Sequence, residues 1–268
     1  MICFPNAKIN IGLNIVEKRS DGFHNLETIF YPISLSDVLE FLPSNKPIQF
    51  INSGLYIDGN INNNLCVKAF NLLKKDYNIP EIDIHLHKII PFGAGLGGGS
   101  SDAAFMLSSL NTFFELNLTK YELKNYASML GSDCAFFIEN EPCIAFEKGD
   151  KLEKIDLDLS NYIFAIVKPN IYVSTVEAYT NINPTRPQKS LKDLIKQDIK
   201  SWKFSIKNDF EENIFLLYPE IKAIKEKLYQ LGAIYSSMSG SGSAVFGIFN
   251  KKENLEKYFP DSFIWQSK

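Results

Sequence analysis

Residues Pro91-Phe-Gly-Ala-Gly-Leu-Gly-Gly-Gly-Ser-Ser-Asp-Ala-Ala104 set five glycines and two serines ahead of a helix-forming tail. Glycine has no Cβ to hold an anion away from the main chain, and it tolerates positive φ, so successive amides can converge on one point. The preceding stretch, Ile82-Asp-Ile-His-Leu-His-Lys-Ile89, is apolar at alternate positions and reads as a strand. Residues 103–116, rich in Ala, Leu, Met and Phe, read as a helix. Strand, glycine loop and helix together make a phosphate cradle. Ser100 or Ser101 is expected to cap the helix, whose positive end and unpaired amides add to the attraction for a polyphosphate.

Two better-known loops fit less well. Gly93-Ala-Gly95-Leu-Gly-Gly98 matches G-x-G-x-x-G, but a dinucleotide fold wants an acidic residue at a strand end about 20 residues on. An acidic residue in that range, Glu122, falls in an expected helix. A Walker A loop needs Lys directly after its last Gly, and Ser100 and Ser101 stand there instead. A plain tight turn that lets a helix pack close to a sheet is the structural alternative, although such a turn seldom needs five glycines and two serines.

Composition narrows the class. With 268 residues, 45% hydrophobic and 22% charged, the chain can bury the core of one large or two smaller domains. A formal net charge of -3 argues against a nucleic-acid partner, because neutralising a phosphate backbone needs a basic surface. The nucleotide it handles is therefore expected to be small. Cys3, Cys66, Cys134 and Cys143 form no C-x-x-C pair and no regular framework, so reduced thiols and a cytoplasmic location are expected. No signal-like start and no uncharged apolar run near the roughly 20 residues of a membrane span are present, so no membrane partner is expected.

Further elements follow from periodicity. Residues 7–15 and 38–42 read as strands, and residues 65–75 have the i, i+3, i+4 spacing of an amphipathic helix. Thr119-Lys-Tyr-Glu122 is a capping box that opens a helix ended by Gly131, which puts Asp133 just past the stop. Residues 162–167 are a continuous apolar run and read as a buried strand. Residues 181–208, rich in Pro, Lys, Asn and Asp, read as connections and surface helix rather than a core element. Residues 219–231 resume helical spacing and stop at Gly232. A second glycine loop, Met238-Ser-Gly-Ser-Gly-Ser-Ala244, then leads into a short strand over 244–249.

The order Pro, Gly-Leu-Gly, Gly-Ser-Ser, Ala-Ala resembles the ATP loop of the galactokinase, homoserine, mevalonate and phosphomevalonate kinase superfamily, the GHMP kinases. Pro5-Asn-Ala-Lys8-Ile-Asn10 and the loop 238–244 resemble its other two motifs, in the right order. Within the superfamily, Ala7-Lys-Ile-Asn-Ile-Gly-Leu-Asn14, Lys18-Arg-Ser-Asp-Gly-Phe-His24, Leu26-Glu-Thr-Ile-Phe30 and Gly131-Ser-Asp-Cys-Ala-Phe-Phe137 resemble the branch that acts on a cytidine diphosphate ester. The likeness continues to Gly242 and so covers nearly the whole chain. It implies an α+β, two-domain GHMP kinase fold. Residues 1–155 would form an N-terminal, ATP-binding domain of the ribosomal-protein-S5-domain-2-like type, and residues 156–268 a ferredoxin-like C-terminal domain. The implied reaction is ATP-dependent phosphorylation of the 2-hydroxyl of a methylerythritol cytidine diphosphate, a step of non-mevalonate isoprenoid synthesis.

The resemblance also assigns roles. Lys8 and Asp133 match the catalytic pair that meets the acceptor hydroxyl. A carboxylate with a pKa of about 3.9 facing an alcohol near 16 would have to work roughly 12 units, or roughly 16 kcal/mol, uphill to make a free alkoxide. An aspartate in this role therefore orients the hydroxyl and takes its proton late, as the O–P bond forms. Pro91, Gly93, Ala94, Gly95, Leu96, Gly97, Gly98, Gly99, Ser100 and Ser101 match the ATP loop. Asn64 matches a position near the nucleotide, and is equally well read as a polar loop residue. Mg²⁺ would travel with ATP, and no protein ligand for it is apparent. His85 and His87 have zinc-like spacing, but no Cys or third nearby His completes a set, and they read as solvent-facing. Phe23, His24 and Tyr179 match the residues around the cytosine, and Asn10 one near the methylerythritol and diphosphate. Gly240, Ser241 and Gly242 match the loop that supports the ATP loop and approaches the acceptor. One departure is notable: the family typically has Tyr where this chain has Phe23, so a phenolic hydroxyl is absent.

Plainer readings exist for each residue: a surface lysine on an edge strand, a turn aspartate, core aromatics, a hairpin tip. Rival functions are a homoserine- or mevalonate-type GHMP kinase, whose motifs would not include Asp21-Gly-Phe-His24, and a catalytically silent metabolite binder, which retention of both Lys8 and Asp133 disfavours.

Overall fold

The computed structural model describes residues 1–180 and 182–268. Strands β1 (Ile2–Cys3), β2 (Asn6–Lys18), β3 (His24–Ser36), β4 (Val38–Ser44) and β5 (Gln49–Gly54) open the chain. Helix α1 (Leu65–Asp76) and strand β6 (Glu81–Lys88) lead into the glycine loop. Helices α2 (Gly98–Phe113), α3 (Lys120–Leu130) and α4 (Cys134–Glu139) follow it, and then strands β7 (Cys143–Glu147), β8 (Lys151–Lys154) and β9 (Ile163–Lys168). Five helices come next: α5 (Thr175–Tyr179), α6 (Leu191–Leu194), α7 (Ile199–Ser205), α8 (Phe210–Leu217) and α9 (Pro219–Gln230). Strands β10 (Tyr235–Met238), β11 (Val245–Phe249) and β12 (Phe263–Gln266) complete the chain.

The chain packs as two compact units that interleave in sequence. One comprises Met1–Ala7, Ser34–Phe92 and Gly97–Glu141; the other comprises Lys8–Ile33, Gly93–Leu96 and Pro142–Lys268. Residues 8–33 join the second unit because β2, β3, β7 and β8 form one sheet, with Leu26 to Phe30 of β3 antiparallel to Glu147 to Cys143 of β7. The expected cut at residue 155 divides the chain by sequence, whereas these units follow packing.

In the first unit, β1-β4-β6-β5 form a sheet in which β4 and β6 are antiparallel and β5 and β6 parallel. The alternation read from residues 82–89 is the cause of β6: Ile82, Ile84 and Leu86 are buried while His85 and His87 face out, bridged by the Ser53 hydroxyl at 2.8 and 2.9 Å. Cys66, Val67, Ala69, Phe70 and Leu73 form the buried stripe of α1. Both arms of the Thr119–Glu122 capping box form at the start of α3, and Gly131 ends that helix.

Helix α2 departs from expectation. It starts at Gly98, five residues before 103, and neither Ser100 nor Ser101 caps it. Its N-cap is Gly97, held left-handed at φ 70°, and no side-chain cap bond is made there among the described residues. The glycine can turn the chain directly into the helix, so the two serines fall within the first helical turn instead of before it.

The second unit also contains the antiparallel sheet β10-β11-β9-β12. Its core gathers Leu13, Ile15, Val167, Phe210, Ile214, Leu228 and Phe249. The stretch 181–208 contributes more than the expected connections and surface helix. Leu191, Ile199, Trp202 and Ile206 are buried, and Trp202 packs edge-on to Tyr235 at 5.8 Å. Helices α6 and α7 are too short for the spacing of their apolar residues to stand out against the polar ones. Asn181, where that stretch begins, lies outside the described residues. Among the described residues, no helix is long and apolar enough to cross a membrane.

Candidate active site

Strand β2 is buried continuously from Ala7 to Ile15, so its polar residues must find partners inside the protein. Lys8 is 3% exposed, which removes the surface-lysine reading. Its Nζ donates to Asn10 Oδ1 at 2.6 Å and to the Gly95 carbonyl at 3.0 Å, and lies 4.9 Å from the centre of the Phe30 ring. Asn10 Nδ2 donates to Thr28 Oγ1 at 2.9 Å, and Thr28 in turn donates to the Gly12 carbonyl at 2.6 Å. The Ser239 hydroxyl donates to the same Gly95 carbonyl at 2.8 Å and accepts from the Asn10 amide at 3.2 Å. Lys8, Asn10, Gly95 and Ser239 are thereby brought together in one buried polar knot.

The same knot joins the two glycine loops. A Cβ on Gly95 would lie 1.8 Å from the Ser239 carbonyl oxygen, so only glycine fits there. The Ser243 amide donates to the Gly93 carbonyl at 3.1 Å and the Ala244 amide to the Ala94 carbonyl at 3.3 Å. Gly240 lies against Asn10 and Gly95. Two residues that sequence reasoning missed hold the second loop: Asn208 Nδ2 donates to the carbonyls of Met238 and Gly240 at 2.9 and 2.8 Å, and Glu211 accepts from the Met238 amide at 2.8 Å. Neither sits in a recognisable motif, so no local signal marked them.

Within the first unit, the uncapped amides of Gly98, Gly99 and Ser100 precede the first helical bond, Ser101 N to the Gly97 carbonyl at 2.9 Å. Uncapped donors at a helix start fit a polyphosphate. The Ser101 hydroxyl is buried without a hydrogen-bond partner among the described residues. Helix α4 packs against α2, with Ser100 close to the Cys134 thiol, and Cys134 directly follows Asp133 at the start of α4. Burial pushes the Cys134 thiol up to about 11, and the charge of Asp133 adds to the rise while Ser100 opposes it. Asp133 is thus placed beside the first turn of α2. Asn64 caps α1 by accepting from the Cys66 amide at 2.9 Å, and it also lines a cavity of about 400 Å³ with Phe50, Tyr56, Ile57, Asp58 and Asn63. No group of three or more His, Cys, Asp or Glu among the described residues is arranged to hold a metal.

Around the second segment, Phe23 is 61% exposed and therefore not a core aromatic, with Lys148 Nζ 5.5 Å from its ring centre. His24 stacks on Tyr179 at 4.7 Å and 20°, and Tyr179 meets Phe210 edge-on at 4.9 Å. Burial, helped by Lys18, holds the His24 imidazole below its ordinary value, which favours the neutral ring.

Residues 64–140 match the GHMP kinases N terminal domain, and residues 190–259 match GHMP kinases C terminal. The chain is 50% identical over 268 residues to the 4-diphosphocytidyl-2-C-methyl-D-erythritol kinase of Parabacteroides distasonis, covering 99% of this chain and 98% of the relative. It is 51% identical to the enzyme of the same name from Bacteroides fragilis, covering 100% of this chain and 99% of that one. The chain belongs to the 4-diphosphocytidyl-2-C-methyl-D-erythritol kinase family of GHMP kinases. A crystal structure of 4-(cytidine 5'-diphospho)-2C-methyl-D-erythritol kinase superposes on it with a TM-score of 0.85 at 29% identity, covering 99% of this chain and 98% of that one. Membership of this kinase family accounts for both glycine loops and for the α+β fold, and it sets aside the dinucleotide and Walker A readings.

Proposed function

We propose that this kinase transfers the γ-phosphoryl group of ATP to the 2-hydroxyl of 4-diphosphocytidyl-2-C-methyl-D-erythritol, in the cytoplasm, as a step of non-mevalonate isoprenoid synthesis. The observation that carries the mechanism is the bond from the buried Lys8 ammonium to the Gly95 carbonyl of the glycine loop. It fixes the proposed catalytic cation to the backbone that would hold the phosphates. ATP would supply the transferable phosphoryl group, and Mg²⁺ bound with it would supply divalent charge to offset that of the phosphates.

The chain's own residues do the rest. The free amides of Gly98, Gly99 and Ser100 donate to phosphate oxygens, and the aromatic-lined cavity at Asn64 takes the adenine. Asp133 orients the acceptor hydroxyl and receives its proton late. Lys8 stabilises negative charge on the transferring group, in a position where no reorganisation is needed. Phe23, His24 and Tyr179 hold the cytosine, with a neutral His24 able to both donate and accept at the base edge. Asn10, Gly240, Ser241 and Gly242 face the diphosphate end. The scattered cysteines Cys3, Cys66 and Cys134, which form no disulfide among the described residues, support a reducing compartment.

The test is ADP release with ATP and a panel of alcohols. Selective turnover of the cytidine diphosphate ester is expected. Turnover of homoserine or mevalonate instead, or binding without turnover, would refute the assignment.

A further inference from the structure

Lys88, Asp37 and Asp102 form a buried ionic cluster that the catalytic scheme does not use. Lys88 is 2% exposed, Asp37 0% and Asp102 3%. Lys88 Nζ donates to Asp102 Oδ2 at 2.6 Å and to Asp37 Oδ2. Asp37 Oδ1 also accepts from the amides of Ile89 and Ile90, the latter at 2.8 Å. The ammonium would lie 3.0 Å from a Cβ on Gly98, so it sits directly against the first residue of α2.

We propose that Lys88, Asp37 and Asp102 are positioning residues for the phosphate donor: they clamp the strand end where the loop begins to the helix turn where it ends. The inference rests on reading residues 91–101 as the ATP loop. Only seven residues, 91–97, separate the clamped entry at Ile90 from the clamped exit at Gly98. Fixing both ends sets where the Gly98, Gly99 and Ser100 amides stand, and rigid pre-placement of donors is what phosphoryl transfer needs.

The composition of the cluster supports a role other than stability. One cation faces two carboxylates, and Asp102 Oδ1 is buried with no hydrogen-bond partner among the described residues. A surplus buried carboxylate is costly, and a balanced pair would hold the fold better. Burial is the main cause that raises Asp102 to about 7, with Lys88 opposing and Asp37 adding to the rise.

Asp102→Ala leaves Lys88 and Asp37 as a balanced pair, so the fold should survive while the helix turn loses its anchor. Lys88→Arg keeps the charge but presses a larger group against Gly98. Binding of a non-hydrolysable ATP analogue with Mg²⁺ is measured by calorimetry, alongside steady-state kinetics and thermal melts. Each variant is expected to bind the analogue at least tenfold more weakly and to raise KM for ATP similarly, with KM for the cytidine ester within twofold of wild type. Gly99→Asp serves as a control on the loop, since a Cβ there would meet only Leu65 at 3.7 Å, and its carboxylate would repel phosphate. Normal analogue binding by Gly99→Asp would refute the loop reading itself. Collapse of binding in Gly99→Asp with wild-type binding in both clamp variants would overturn the clamp alone. Failure of both clamp variants to fold would also overturn it, as a purely structural cluster predicts that outcome.

Discussion

Replacing Lys8 with Met should separate catalysis from stability. The side chain's charge-assisted hydrogen bonds include those to Asn10 Oδ1 and the Gly95 carbonyl, each worth about 1.5 to 3 kcal/mol to a typical protein. Against that stands the desolvation of an ammonium group that is 3% exposed, an effective penalty of several kcal/mol on the usual scale. The Gly95 carbonyl keeps the Ser239 hydroxyl as a donor at 2.8 Å, whereas Asn10 Oδ1 loses its 2.6 Å donor, because the one Ser239 hydrogen cannot serve both. Methionine fills a similar volume beside Phe30. The opposing terms are of similar size, so the net change in stability should stay within about 2 kcal/mol, a melting shift on the order of 4–8 °C at most for a chain of this length. Catalysis should lose far more. Removing one preorganised group that stabilises developing charge typically lowers kcat by about 10² to 10³, or roughly 2.7 to 4 kcal/mol. Coupled ADP-release assays with the cytidine ester at saturating ATP, together with calorimetric melting, give both numbers. A Lys8→Met enzyme within tenfold of wild-type kcat would refute the assignment of Lys8, and an unfolded one would refute the energy balance.

Asp133→Asn keeps the shape of the side chain but removes the proton acceptor, so kcat should fall by about 10² to 10⁴ with KM for ATP little changed; rates within a few fold of wild type would rule it out as the base. Gly95→Ala must relieve an overlap with the Ser239 carbonyl at φ 71°, a loss of about 2 to 5 kcal/mol, seen as a melting point lower by roughly 5–15 °C. An unchanged melting curve would contradict the close contact of the two loops. His24 has a depressed pKa, so the favourable neutral ring is fully present above its ordinary 6.5 and is lost as pH falls through the lower folded value. KM for the cytidine ester should therefore rise between pH 6.5 and 5, and His24→Gln should flatten that rise; a wild-type KM that is flat over the same range counts against the cytosine role. Asp102 is shifted the other way, from 3.8 to about 7, so the folded protein keeps a proton that the unfolded chain has released and stability falls as pH rises across that window. In urea melts at pH 5, 6, 7 and 8, Asp102→Asn should gain on wild type as pH rises; a gap that narrows would show the reverse linkage.

The legible parts of this chain were those with local causes. The alternation of Ile82, Ile84 and Leu86 gave strand β6, the Thr119–Glu122 capping box and Gly131 bounded α3, and the stripe of α1 was found to within a residue of its end. Helix α2 was misplaced at its start because three consecutive glycines weigh against helix on propensity alone, whereas here a left-handed Gly97 and the pull of packing carry the helix through Gly98 and Gly99. The buried role of Trp202 was hidden by the polar residues on either side. Asn208, Glu211, Asp37 and Lys88 went unnoticed, since each pairs with a partner far away in sequence.

The three glycine and lysine motifs, in their order, determined by themselves the reaction class and the family, because phosphate contact demands a short, dense run of backbone donors that composition rarely produces otherwise. The segment from Asp21 to His24 pointed to the acceptor through its resemblance to the branch that acts on a cytidine diphosphate ester. Only the tertiary structure decided how Lys8 is held: the knot of Lys8, Asn10, Gly95 and Ser239 joins positions up to 229 residues apart. It also decided that one buried cation would serve two carboxylates across the loop. Such pairings follow from where strands and helices cross, and burial forces each polar group there to take whatever partner the fold brings near.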